Sequence, residues 1–279
     1  MKIDSHLHFW HYHPVKDAWI TDEMSVIKND FLPADLLPLL EQQGITGGVA
    51  VQADQSEKET HFLMDLAAEY DFIKGVVGWV DFRAKNIEER LEYFSQFDIL
   101  KGFRHIVQAE PDDDFLLRPD FLKGIAALSR HNFTYDVLIH PRHIPYAVDF
   151  VKRFPNQRFL VDHLAKPCIK DRLSDEWARE LRAFAPVENV SCKMAGLVTE
   201  ADWKNWKYDD FTKYIDITLE IFGTERVMFG SDWPVCLVGA SYGEVCDIAS
   251  KNTEQLSKSE QDKIWGENCR DFYSVKDKR

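Results

Sequence analysis

The chain has 279 residues, 45% of them hydrophobic and 29% charged, and a net charge of −13 at neutral pH. That is a core-forming composition, long for one ordinary domain but suited to a single α/β barrel, which takes about 250 residues. An acidic chain repels phosphate backbones and anionic lipid, so nucleic acid and membrane surfaces are poor partners.

The N-terminus, MKIDSHLHFW, carries an acid and two histidines and no apolar run, so it does not read as a signal peptide. Apolar, β-branched stretches at 2–8, 46–52, 73–80, 100–107, 134–140, 158–163, 188–194 and 226–231 read as strands. Amphipathic stretches follow them at 35–43, 57–70, 87–97, 120–131, 144–153, 175–184, 210–222 and 258–272. Pro33, Pro119 and Pro145 sit near helix starts, where proline is tolerated. Strand and helix thus alternate, which predicts a parallel sheet. Eight such units predict closure into a (β/α)8 barrel, a single domain over 1–279. An open doubly wound sheet is the alternative, but its usual glycine-rich first turn is replaced here by His-Leu-His. The five cysteines are scattered and form no CxxC, which reads as reduced thiols in a cytoplasm-like compartment.

Active sites of such barrels stand at the C-terminal ends of the strands. In chain order those ends offer His6 and His8, Gln52, Trp79 and Asp81, Arg104 and His105, His140, Asp162 and His163, Lys193, and Asp232. Residues two apart on a strand share a side, so His6 and His8 face the same way. Six of the ten histidines collect at this one end, counting His143 just beyond His140. Neutral imidazole and carboxylate are common ligands of zinc and similar divalent ions. Each residue also has a plainer reading. His6 and His8 would be a solvated strand end, His163 a satisfied core histidine, Asp232 a turn residue and His140 a strand cap. Lys193 would neutralise a buried carboxylate, Arg104 and Lys166 would be surface ion-pair residues, and Trp79 barrel packing. Asp162, next to His163, faces the other way in an ideal strand, and His11 and His13 read as exposed loop residues.

His-x-His on the first strand, histidines on the fifth and sixth and Asp on the eighth resemble the amidohydrolase superfamily, whose fold is a (β/α)8 barrel. The segments DSHLHFW, VQADQSEKET, GWVDFRA, LKGFRHIVQ, IHPRH, VDHLAKP, VSCKMAGLVTEADW and MFGSDWPV look like its amidohydrolase-2 branch, in particular the L-fuconolactonase and L-rhamnonolactonase type of sugar-lactone hydrolase. Together they run from Asp4 to Val235. The binuclear members place a carboxylated lysine on strand four, where this chain reads GFRHIV. That departure argues against two metals and leaves one divalent ion, zinc or manganese, or metal-free catalysis.

The resemblance implies a small-molecule sugar lactone as substrate and water as nucleophile. Asp232 is then the expected general base, with His163 and His105 also catalytic, and His6, His8, His163 and Asp232 are the expected metal ligands. Gln52, Trp79, Arg104, His140 and Lys193 are the expected substrate contacts, Trp79 as a flat wall for the sugar ring. Decarboxylase relatives in the same branch make a lyase the runner-up, and a non-catalytic sugar-acid-binding barrel the third reading. GASYG at 239–243 matches a serine-hydrolase elbow, but no histidine follows His163, so Ser241 lacks a base in the expected order.

Overall fold

A computed structural model describes residues 1–276. Eight parallel strands run in the order β1 to β8: Ile3–Leu7, Gly47–Val51, Ile73–Gly78, Leu100–His105, Thr134–Val137, Phe159–Val161, Val190–Met194 and Val227–Phe229. Helices α1 to α7 follow the first seven strands, at Pro33–Gln43, Glu57–Glu69, Ile87–Phe94, Pro119–Leu128, Ile144–Lys152, Asp175–Leu181 and Asp209–Phe222. Valine-rich strands such as Gly47–Val51 are buried along their whole length, as strands covered on both faces must be.

The last seam closes between β1 and the end of β8. His8 N donates to Trp233 O at 2.7 Å and Asp232 N to His6 O at 3.0 Å. Side chains add two more links: Ser5 Oγ to Phe229 O at 2.6 Å, and Ser231 N to Asp4 Oδ1 at 2.9 Å. The molecule is the expected barrel, and the open-sheet alternative is set aside.

The eighth helix is not where the sequence reading put it. Helix α8 is Tyr242–Lys251, and the stretch 258–272 is an addition to the barrel. That addition comprises α9 (Lys258–Asp262), a wide turn at Lys263–Glu267 and α10 (Asn268–Phe272). Tyr242, Val245, Cys246, Ile248 and Ala249 supply α8 with a buried face at helical spacing. Ser241 is its N-cap, accepting from Glu244 N at 3.3 Å, so GASYG is a capping box and not a nucleophile elbow.

Inside the barrel, Ile3, Val49, Val51, Val77, Leu160 and Met228 form an apolar floor. Cys269, Tyr273 and Val275 from the C-terminal segment plug it from below. All five cysteines are free thiols. No helix among the described residues is long and apolar enough to cross a membrane.

Candidate active site

Strand β1 aims the two histidines through a bulge. Ile3 and Asp4 lie opposite Gly47 and Gly48, but Leu7 lies opposite Ala50, so β1 holds one extra residue. Ile3 faces the barrel floor, and strict alternation from there would turn His6 outward. The extra residue reverses the phase, and His6 and His8 both point inward.

Their ring nitrogens meet Asp232. His6 Nε2 is 3.2 Å from His8 Nε2, His8 Nε2 is 3.3 Å from Asp232 Oδ1, and His6 Nε2 is 3.8 Å from the same oxygen. His8 Nδ1 must donate to Val51 O at 2.7 Å, because a carbonyl only accepts. In the neutral ring that leaves His8 Nε2 a bare lone pair aimed at another nitrogen and a carboxylate. Burial keeps all three imidazoles neutral. It holds His6 well below its ordinary value, with the Lys193 charge adding to the effect, lowers His8, and takes His163 to about 4. Burial pushes the Asp232 carboxyl up, but its cationic surroundings, the Lys166 ammonium among them, outweigh that and bring it below its ordinary value.

Three acceptors crowded together favour a cation, and the Arg104 guanidinium reaches only one of them, His6 Nε2 at 3.2 Å. Around a tetrahedral zinc with bonds near 2.0–2.1 Å, ligand atoms lie about 3.4 Å apart. The separations of 3.2, 3.3 and 3.8 Å fit that triangle. His6, Asp162 and His163 form a second trio of donor atoms within 4.8 Å of one another.

A buried ion-pair chain lies beneath. Arg104 Nη1 donates to Asp162 Oδ2 at 3.0 Å and lies 3.2 Å from His6 Nε2. Its Nε donates to Gln52 Oε1 at 3.1 Å, and its Nη2 to the same oxygen at 3.0 Å and to Gln52 O. Lys193 Nζ sits 2.6 Å from Asp136 Oδ2 and 3.2 Å from Asp162 Oδ1, and Asp162 Oδ1 is 3.5 Å from His6 Nδ1. Tyr273, from the C-terminal plug, donates to Asp136 Oδ2 at 2.7 Å. The chain thus runs from the barrel floor to the histidine ring.

Strand β6 ends at Val161, earlier than the sequence suggests, and His163 lies in a turn. His163, Leu164, Ala165 and Lys166 all have left-handed φ values, from 53° to 56°. Asp232 is left-handed too, at 59°. Such backbone costs about 1–2 kcal/mol per residue and persists only where the surroundings impose it. The turn puts Asp162 and His163 on one side, against the alternation an ideal strand predicts. Gly196, at φ 64°, makes room: a Cβ there would stand 2.6 Å from His163 Nδ1.

A cavity of about 230 Å³ opens above, lined by His8, Arg104, His163, Asp232, Gln108 and Lys166, with Trp19 and Leu138 among its apolar wall. Of the residues expected at the site, His6, His8, His163, Asp232, Arg104 and Gln52 come together. Gln52 is wholly buried and holds Arg104 in place. Lys193, an expected substrate contact, is instead wholly buried, engaged with two carboxylates and outside the cavity lining.

His105 and Trp79 lie elsewhere. Arg104 points inward, so His105, one residue on, points out between β4 and its helix. It stacks on Phe115 at 4.8 Å, pairs with Glu110 at 2.6 Å and accepts from Trp79 Nε1 at 3.3 Å. The expected catalytic place of His105 and the expected wall of Trp79 therefore fall outside the cluster. His140 does not line the cavity either; its backbone N–H donates to His143 Nδ1 at 3.0 Å, and burial lowers its ring to about 4. Trp19, Gln108 and Lys166 are among the lining residues that strand-end reasoning missed, because they stand beyond the strand ends.

The amidohydrolase family model matches residues 3–275. The chain is 38% identical to the L-fucono-1,5-lactonase of Burkholderia multivorans, over 99% of this chain and 96% of that one. It is 33% identical to the L-fucono-1,5-lactonase of Burkholderia ambifaria, over 87% of this chain and 83% of that one. The crystal structure of an amidohydrolase from Burkholderia multivorans with bound zinc superposes with a TM-score of 0.96 at 38% identity, covering 99% of this chain and all of that one.

Proposed function

The chain belongs to the amidohydrolase family, and from that premise we propose that it is a hydrolase opening a sugar lactone, with Asp232 as general base. The observation that carries the reading is the triangle of acceptor atoms of His6, His8 and Asp232, of which His8 and Asp232 line a cavity sized for one small ring. The whole-length likeness to L-fucono-1,5-lactonases supports a deoxy-sugar lactone such as L-fucono- or L-rhamnonolactone as the substrate class.

Lactone hydrolysis needs an activated water, a polarised carbonyl and a proton for the leaving hydroxyl. Asp232 takes the proton from water as the oxygen attacks the carbonyl carbon, then returns it to the ring oxygen as the ester bond breaks. His8 is fixed as an acceptor by its bond to Val51 and helps hold that water. Arg104, locked by Gln52 and Asp162, presents a fixed positive charge at the cavity floor. A divalent ion, zinc or manganese, held by His6, His8 and Asp232 with His163 beside them, would lower the pKa of water and polarise the carbonyl.

Acid release from a panel of aldonolactones, with and without a strong chelator, tests the reading. The expected result is opening of deoxy-sugar lactones well above the spontaneous rate, with the chelator arm reading metal dependence. Asp232→Asn should lower kcat by about 10²–10⁴-fold with the melting curve intact. Failure of every lactone, even with added zinc or manganese, would overturn the proposal, and carbon dioxide release from small carboxylated compounds would then be measured for the decarboxylase alternative.

A further inference from the structure

The cavity wall carries a cation that the proposed steps leave unused. Lys166 ends the left-handed turn, and its N–H closes the turn by donating to His163 O at 2.7 Å. That is a three-residue turn, in which side chains three apart eclipse. His163 and Lys166 therefore stand one above the other and both line the cavity, with Asp232 and Arg104. Trp177 pins the turn from behind, donating to Leu164 O at 2.7 Å.

The other two cations near the site are spent. The Arg104 donors go to Gln52, Asp162 and His6, and Lys193 is enclosed between Asp136 and Asp162. Among the described residues Lys166 Nζ has one partner, Glu200 Oε1 at 3.5 Å. That is longer than a charge-assisted hydrogen bond, about 2.7–2.9 Å, so its N–H groups remain available to a ligand. Four successive left-handed residues are unfavourable for L side chains, and this segment uses them to put an ammonium on the cavity wall with His163 and Asp232.

We propose that Lys166 is a catalytic residue whose ammonium donates a hydrogen bond to the lactone carbonyl oxygen as that oxygen becomes negative. The inference rests on the lactonase reading. Water oxygen bonds to the carbonyl carbon, the π pair moves to the carbonyl oxygen facing Lys166, and Asp232 holds the water's proton. The pair then re-forms the C=O, the ring C–O bond breaks and its oxygen takes the proton back, giving the hydroxy acid. Lys166 gives up no proton and is unchanged at the end.

Steady-state kinetics of the wild type, Lys166→Ala and Lys166→Arg on the best lactone test this. A wild type that opens no lactone fails the lactonase reading itself. With an active wild type, Lys166→Ala should lose about 10²–10³-fold in kcat with KM changed less than about threefold. Ethylammonium should restore part of that loss in proportion to its concentration, and Lys166→Arg should keep the melting temperature and an intermediate rate. A kcat within about threefold of wild type, or a loss confined to KM, overturns the proposal. So does a kcat loss shared by Lys166→Arg that ethylammonium does not relieve, since that would mark collapse of the turn.

Discussion

At the scale of single residues the site is a problem of backbone placement more than of residue type. His163 and Asp232 both stand in left-handed backbone, where the sequence gives no glycine to explain it. Their conformation is imposed from outside, and Gly196 is the clearest instance. It combines φ 64° with a close approach to the His163 ring. Gly196→Ala should cost about 1–3 kcal/mol and lower kcat at least about tenfold, because the added methyl displaces the ring. Thermal unfolding together with kinetics on a lactone checks both numbers, and an alanine variant with wild-type kcat would remove His163 from the proposed constellation. The residue-level reading of the sequence found six of the converging side chains. It erred at His105 and Trp79 for one reason: both share the outer face of their strand ends, and a strand's first inward residue is not marked in the sequence.

At the scale of elements, two devices decide what a segment does. The β1 bulge sets which side the His-x-His pair faces, although the spacing alone fixes that the two share a side. Helix α8 opens on Ser241, whose Oγ and N–H both bond Glu244 Oε2 at 2.7 Å. Ser241→Ala should therefore cost about 1 kcal/mol in stability and leave lactone hydrolysis unchanged. Loss of activity with stability unchanged would revive the elbow reading. Helix α2 carries a pH-sensitive acid. Glu59 is buried against the loop after β2, accepting from Ala53 N at 2.8 Å and Asp54 N at 2.6 Å. Burial raises its carboxyl from 4.5 to about 7. Between those values the unfolded chain has released the proton and the folded chain has kept it. The folded state then binds more protons, so this group's contribution to stability falls as pH rises from about 4.5 to 7 and is flat beyond. The change is on the order of 3 kcal/mol. Glu59→Gln should flatten that part of the stability-against-pH curve, measured by denaturant unfolding at a series of pH values.

At the scale of the whole molecule, the active end of the barrel is wired to its closed end. Tyr273, Asp136, Lys193, Asp162 and His6 form an unbroken line of polar contacts through an interior otherwise packed with valine, leucine and isoleucine. Such a line is costly to interrupt, because the remaining partners stay buried. Lys193→Met should destabilise the protein by about 3–5 kcal/mol. Adding Asp136→Leu to it should recover part of that loss, since the orphaned carboxylate goes with its partner. A double variant no more stable than the single one would show that the pair itself does not carry the cost.

The sequence by itself determined the barrel, through eight alternations of strand and helix. It also determined which strand ends carry histidine, aspartate and arginine, because residue type and period are local properties. Only the tertiary structure decided which of those side chains meet. Convergence depends on a bulge that adds one residue to β1, on a left-handed turn that begins where β6 stops, and on the inward phase of each strand. It moved the aromatic wall from Trp79 to Trp19, put Lys193 outside the cavity lining, and assigned the eighth position to Tyr242–Lys251 in place of 258–272. Each of these is set by contacts between segments far apart in the chain, and no window of neighbouring residues contains them.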